Sequence, residues 1–514
     1  MNKVTISRTI AIVIALLLLI TQSAQAQKFF TNFESGSIGE VEFVSADTIN
    51  IATAKDPLNP IDTLVKPSSR WFYFLMTGVK DKTLTIKMID TDPKAPVYSY
   101  DNKTWHRLNP QTEAVAKKPI FTKTYERDSV YIAYYVPYTN AHLEQMMEDW
   151  QYKMGVSIYS IGKSHQGREM KMLMVTNPMT ADKNKKRIYI HGRIHPSETP
   201  TSWCLEGLIE ALLAETPYAK ALRDNAIFYI LPFTNPDGVA LGYSRCDAIG
   251  VNMEINYAQP DSLTRPEVKN IKKFIETTTY GERYLDMALN FHSQIAPHFT
   301  YWIHTEETTS SSFFKEELAF AALTISDNPY ANNECLSFSN MAERYIEGYF
   351  WGTAAEKTLA LTHETPYSYY NREPEGEWVT IENLKWLGEK TLWSISDYLG
   401  IENPQRYIIE TPRKTSKCEM AEDFENVYLG NHYYVAAEDG AEAEYRLKKL
   451  PAGEYSVYKW ITGAKGRVFD KDENRWEKLY DFTQSAQGKF ELKLTDLKAG
   501  QKINALLLVK KESR

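Results

Sequence analysis

Cysteine is scarce: four residues in 514, at Cys204, Cys246, Cys335 and Cys418. So few, and so scattered, exclude a disulfide-stapled scaffold and a cysteine-based zinc cluster. Single buried thiols are favoured over one isolated pairing. An excess of cations is also missing. Lys+Arg is 59 against Asp+Glu 66, a net charge of −7, which excludes a protein organised around nucleic acid. Only one long apolar run exists, near the N-terminus, so a multi-pass membrane protein is excluded. There is no internal repeat and no low-complexity tract. What remains is 43% hydrophobic and 24% charged, a composition that packs cores, and the length suggests about three domains.

The apolar run belongs to an address. Lys3 and Arg8 are a basic start, Ile10 to Ile20 is uncharged and apolar, and Ala24-Gln25-Ala26 is a small-x-small triplet. This pattern predicts a signal peptide over 1–26 and a mature start at Gln27. The run is short for a membrane span. The expectation is therefore an exported protein, periplasmic or secreted, with no stable membrane span after cleavage.

Residues 27–147 read as an N-terminal β-sandwich. Short runs such as Arg70 to Leu75, Leu84 to Ile89 and Asp128 to Val136 are rich in β-formers and separated by turn signals. Asn140 to Met154 is helix-like. From 148 to 402 strands alternate with helices, the mark of an α/β domain. Strands are expected at Arg187–His191, Ala226–Leu231, Met287–Phe291 and Thr358–Thr362. A helix is expected over Thr201–Ala214, with Leu205, Leu208, Ile209 and Leu212 on one side. Residues 410–514 return to β character, and Trp460 and Trp476 there are expected to be core rather than ligand platforms.

Two H-x-x-E patterns occur, at His195–Glu198 and His304–Glu307. The first lies between an apolar strand and an amphipathic helix, where α/β sheets form their sites. The second adjoins the polar stretch Thr308 to Ser312 and is expected on a solvated surface. An imidazole and a carboxylate are both good Zn²⁺ ligands, and a catalytic site needs a third. His292, at the end of the strand Met287–Phe291, is the candidate. Glu364, expected just past another strand, is placed to move protons. Arg245 is placed to stabilise an oxyanion.

Taken in order, His191-Gly192-Arg193-Ile194-His195-Pro196-Ser197-Glu198, Asn235-Pro236-Asp237-Gly238, Gly242-Tyr243-Ser244-Arg245-Cys246, Phe291-His292-Ser293 and Leu361-Thr362-His363-Glu364 resemble the zinc metallocarboxypeptidases of the funnelin type. The nearest branch is the cytosolic-carboxypeptidase-like subfamily and its bacterial relatives. The resemblance covers roughly residues 135 to 400. Trp71 to Phe74, Trp105 to Arg107 and Tyr131 to Tyr138 also resemble that branch's N-terminal domain. It implies a carboxypeptidase-like mixed sheet with helices on both faces, flanked by the two β regions. It implies one zinc ion per chain on His195, Glu198 and His292, with Glu364 as base and acid and Arg245 polarising the scissile carbonyl. The substrate would be a peptide or a peptide-containing polymer. A substrate-contacting tyrosine of the family is assigned to neither Tyr345 nor Tyr349.

One stretch departs from the family. Where its members commonly read G-V-D-L-N-R-N, this chain has Gly250-Val251-Asn252-Met253-Glu254-Ile255-Asn256. The carboxylate-gripping arginine is replaced by Ile255, and Glu254 adds a negative charge. The resemblance places Arg245, Glu254 and Asn256 in the substrate pocket, with the grip on a terminal carboxylate altered and Glu254 free to face a cation. Asn252 retains an oxygen able to accept from a ligand histidine. Two other readings stay open at this level: a non-catalytic binding protein on the same fold, and a small-molecule deacylase or cell-wall peptide amidase. Oligomeric state is not legible.

Overall fold

The computed structural model describes residues 27–91, 95–115, 118–279, 281, 283–325, 328, 335–370, 377–421, 432–460 and 476–511. The leader expected over 1–26 lies outside the described residues. The described residues divide into two compact units, one within 27–55 and 69–137, the other within 56–68 and 138–511.

The first unit holds a five-stranded and a four-stranded sheet. The strand Thr83–Ile89 alternates buried and partly exposed residues, as a half-buried strand does. Phe72, Phe74, Met76, Ile86, Phe121 and Ile132 are fully buried. The β reading of this region is therefore borne out.

The second unit opens with helix α1 (Asn140–Trp150). An eight-stranded mixed sheet follows, built from β1 (Val156–Lys163), β2 (Glu169–Val175), β3 (Lys186–Gly192), β4 (Ala226–Leu231), β5 (Met287–Gln294), β6 (Thr300–His304), β7 (Leu336–Ser339) and β8 (Leu359–Pro366). Their order is β1-β2-β4-β3-β5-β8-β6-β7. The central four, β4-β3-β5-β8, run parallel. They are almost wholly buried, which is why they read as apolar runs rather than alternations.

Helices cover both faces. On one face Val268, Ile271, Phe274 and Ile275 of α5 (Pro266–Thr278) and Ile346 and Phe350 of α7 (Ile346–Ala354) join Tyr189, Ala288 and Ala360 of the sheet in one core. The opposite face carries α2 (Thr199–Leu213) and α8 (Ile381–Tyr398). These two helices meet backbone to backbone. A β-carbon on Gly388 would lie 2.0 Å from the Cys204 carbonyl oxygen, and one on Gly207 would lie 2.3 Å from Cα of Lys385. Lys385 also bridges Glu206 at 2.6 Å and Glu210 at 3.0 Å. The remaining helices are α3 (Pro217–Asn225), α4 (Pro236–Leu241) and α6 (Ser311–Ile325).

The end of the chain forms three small sheets. Tyr445, Tyr455, Val457, Phe490, Leu506 and Leu508 make their core. Trp460 and Trp476 are buried with ring centroids 5.1 Å apart, the core role expected. Near the end of the described residues the strands are Lys502–Ile503 and Leu506–Lys510. No disulfide forms among the described residues, and Cys204, Cys246 and Cys335 are buried. No helix of the described residues is long and apolar enough to cross a membrane.

Candidate metal centre and its cavity

The site forms where the parallel strands end. After β3 the chain turns sharply at Arg193, which adopts φ 56°. Its buried guanidinium holds the loop in shape: Nη2 donates to the Pro196 carbonyl at 2.6 Å, and Nη1 to the Tyr138 carbonyl and Ser202 Oγ at 3.0 and 2.9 Å. The Glu198 amide donates to the His195 carbonyl at 3.2 Å, a tight turn that sets both side chains toward one point. Asn235 ties this loop to the next, donating to the carbonyls of Ile194 and Cys246 at 3.0 and 2.9 Å. Ser197 Oγ donates to the Ser244 carbonyl at 2.7 Å. Asp56 accepts the backbone N–H groups of Ser244 and Arg245, both at 2.7 Å.

β5 and β8 supply the rest through their register. His292 pairs with Glu364, and Asn290 with Thr362, on adjacent parallel strands. Residues two apart share a face, so these four side chains lie together. Both strands run further than the sequence suggests, so His292 and Glu364 sit within strands rather than just past them. The polar residues that close each apolar run keep their ladder partners.

Three side chains converge. His195 Nδ1 lies 2.9 Å from Glu198 Oε1, His292 Nδ1 lies 2.9 Å from Glu198 Oε2, and the two Nδ1 atoms are 3.1 Å apart. Ligand bonds of about 2.0–2.2 Å in a tetrahedron put donors about 3.4 Å apart, so this set is slightly contracted and fits a zinc ion. His195, His292 and Glu254 form a second, wider set, with ligand atoms all within 4.8 Å of one another. On the other side of the His292 ring, Nε2 lies 3.2 Å from Glu254 Oε2. Either way, a His–Glu–His cluster able to hold one zinc ion is present.

Behind the rings lies a chain of hydrogen bonds. His195 Nε2 donates to Asn252 Oδ1 at 3.1 Å, the role the sequence left to an amide oxygen. His292 Nε2 donates to Glu254, which accepts from Asn290 Nδ2 at 3.1 Å. Asn290 Oδ1 in turn accepts from His191 Nε2 at 2.8 Å. Such partners fix ring orientation and tautomer.

Charge follows burial and partners. Burial alone would raise the Glu198 carboxyl, but His195 and His292 outweigh it and hold the group well below the usual range. His292 goes the other way: burial opposes its charge, yet Glu254 and Glu198 lift it well above an ordinary imidazole. Burial and then Arg245 push His195 down to about 4. Glu364 is raised to about 7, first by burial, against the pull of His292. Trp302 Nε1 donates to Glu364 Oε1 at 3.3 Å.

A cavity of about 410 Å³ opens on this cluster, lined among others by His195, His292, Arg245, Glu364, Glu254, Glu347 and Arg344. Asn256 is not among the residues that line this cavity. Its amide donates to the Leu263 carbonyl at 3.3 Å and accepts from the Arg265 N–H at 2.7 Å, which makes it a loop brace. The second H-x-x-E is corrected. Glu307 is exposed, but His304 is buried, bonded through Nδ1 to Glu317 at 2.7 Å, and lines the same cavity. Tyr345 lines it too, from the residue before α7, with the Arg344 guanidinium 4.9 Å from its ring centre. Arg344, Glu347, Trp302 and Asp56 carry no spacing signal in the sequence, and only the fold reveals them.

Comparison with known proteins agrees with this architecture. Residues 141–376 match the zinc carboxypeptidase model of the M14 peptidases, and residues 29–135 match the cytosolic carboxypeptidase N-terminal domain. Cytosolic carboxypeptidase 6 of Mus musculus is 30% identical over 298 residues, 52% of this chain and 54% of that protein. An uncharacterized protein of Zymomonas mobilis is 31% identical over 242 residues, 45% of this chain and 60% of that one. The chain thus spans little more than half the length of the mouse relative. A metallo-carboxypeptidase structure from Burkholderia cenocepacia shares the fold, with a TM-score of 0.64 at 24% identity, covering 73% of this chain and 99% of that one. A metallo-carboxypeptidase from Pseudomonas aeruginosa does so with a TM-score of 0.61 at 21% identity, covering 73% and 99%. Two consecutive family models therefore match the chain, and over those residues it is similar to the zinc carboxypeptidases and to the N-terminal domain of the cytosolic carboxypeptidases.

Proposed function

We propose that this protein is a zinc metallopeptidase that hydrolyses peptide bonds next to a C-terminal residue. The observation that carries this reading is the cavity that His195, His292, Glu364 and Arg245 line together, with Glu198 bonded to both histidines. His195 Nδ1, Glu198 and His292 Nδ1 are the ligands, and Glu254 orients His292 from behind. Zinc held there supplies Lewis acidity, which makes water nucleophilic near neutral pH and polarises a carbonyl. Glu364 takes the proton of the attacking water and passes it to the departing amine nitrogen as the C–N bond breaks. Arg245 donates to the oxygen that gains negative charge. Trp302 holds the Glu364 carboxylate while it exchanges protons.

The terminal carboxylate loses its usual partner at Ile255. Arg344 lines the same cavity and takes that part; a guanidinium matches a carboxylate in geometry as well as charge. Glu364 in the cavity weighs against a purely binding role, since a binding module has no use for a base. The sequence of residues 1–26 supports action outside the cytosol.

The test compares the zinc-loaded protein on one peptide with a free and with an amidated C-terminus. Release of the last residue from the free acid, and little from the amide, is expected. No hydrolysis of either, with zinc bound, overturns the reading.

A further inference from the structure

We infer that the residue admitted to the cavity carries a cationic side chain, and that Glu347 selects for it; this rests on the peptidase reading above. Glu254 and Glu347 are 6% and 3% exposed, yet both line the cavity. They draw on one amide: Asn290 Nδ2 lies 3.1 Å from Glu254 Oε1 and 3.1 Å from Glu347 Oε1. Two buried carboxylates sharing a neutral donor repel each other in a medium that screens poorly.

Their remaining partners differ. Glu254 faces His292. Glu347 Oε1 accepts from Asn290 and Thr362, both neutral. Among the described residues Oε2 of Glu347 accepts no hydrogen bond, and no Lys, Arg or His lies within ion-pair distance of this carboxylate. Its position in the first turn of α7 puts it at the positive end of the helix dipole, which is not a counter-ion. A buried charge without one is costly, and a partner brought by the ligand removes that cost.

The cations of the cavity are arranged the other way. Arg245 and Arg344 also line it, but they are exposed. Acid below and cation above match a terminal residue with a basic side chain pointing inward and its α-carboxylate outward. A C-terminal lysine, arginine or similar diamino acid has this form. An acidic terminal residue would bring a third carboxylate beside Glu254 and Glu347.

The experiment uses zinc-loaded protein and chromogenic peptides that differ only in the last residue: arginine, its neutral isostere citrulline, or glutamate. Arginine should exceed citrulline in kcat/KM by at least about 30-fold, the scale of a lost buried charge partner, with glutamate lowest. Glu347→Gln should bring the arginine-to-citrulline ratio to within about 3-fold. Calorimetric binding of the same peptides to Glu364→Gln protein supplies a readout that needs no turnover. If no peptide is cleaved, the peptidase reading fails, and binding alone decides the present inference. Equal handling of arginine and citrulline by the wild type, or a preference for glutamate, overturns it.

Discussion

Nε2 of His292 and Oε2 of Glu254 lie 3.2 Å apart, on the side of the imidazole away from Glu198. Two carboxylates therefore flank one ring, and their roles separate experimentally. Glu198→Gln should abolish stoichiometric zinc, because it removes an anionic ligand. Glu254→Gln should keep a carbonyl acceptor for Nε2–H and weaken zinc binding by about 10- to 100-fold, the usual effect of losing an outer partner. Competition with a chromophoric chelator measures both, and the reverse order would make Glu254 the ligand.

Glu364→Gln is expected to reduce kcat by at least about 10³-fold with zinc content unchanged, as for loss of a principal catalytic group. The wild type should also show an acid limb in kcat/KM. The base works ionised, and burial lifts its pKa to about 7. Activity therefore falls as pH drops through that region. A bound cation draws the limb lower, so its midpoint is expected at or below about pH 7. An unchanged rate in the variant would remove Glu364 from the chemistry.

Asp56 fixes the backbone that carries Arg245. Asp56→Ala leaves the buried Ser244 N–H without its acceptor, a cost of about 1–3 kcal/mol. A displaced Arg245 should lower kcat/KM by about 10- to 100-fold while zinc stays bound. Arg245→Ala should cost about 10²- to 10³-fold. Kinetics together with metal analysis of the two variants checks this, and full activity of Asp56→Ala would detach the loop from catalysis.

His363 points away from the cavity into a cage of Phe291, Phe299 and Tyr301, with centroids 4.6, 5.7 and 5.0 Å away. Neither ring nitrogen has a partner among the described residues. Burial pushes its pKa down to about 3. The unfolded chain, with an ordinary imidazole, binds the extra proton between pH 6.5 and 3. Stability from this residue is therefore full above pH 6.5 and is lost as pH falls toward 3. His363→Leu should melt no lower than wild type at pH 8 and higher than wild type at pH 5. Thermal unfolding at the two pH values tests it, and an identical pH dependence counts against it.

Export makes its own prediction. Protein secreted by a bacterial host with the natural leader should begin at Gln27, readable by N-terminal sequencing or intact mass. A chain that keeps Met1 and stays in the cytosol contradicts it.

Much of this site was legible before any coordinates. The apolar runs at 187–191 and 226–231 are strands because both of their faces are buried, and His195, Glu198 and His292 follow from ligand chemistry at strand ends. The pairing of His292 with Glu364 was not legible, since inter-strand register is a property of two distant segments. Glu347 and Arg344 were invisible for a related reason: a lone charged residue has no period, and its meaning depends on what faces it. A neighbour in sequence need not point the same way: the Asn256 amide is engaged by the loop at Leu263 and Arg265.

The close approach of Gly207 to Lys385 and of Gly388 to Cys204 has a consequence for metal loading. α2 begins directly after Glu198, and α8 is locked against it with no room for a methyl group. The turn bearing two of the three proposed ligands is thereby anchored from the rear, independently of any ion. Zinc then enters a rigid socket rather than shaping one. An alanine at either glycine would act as a wedge, loosening the grip on the ion while leaving the parallel strands intact.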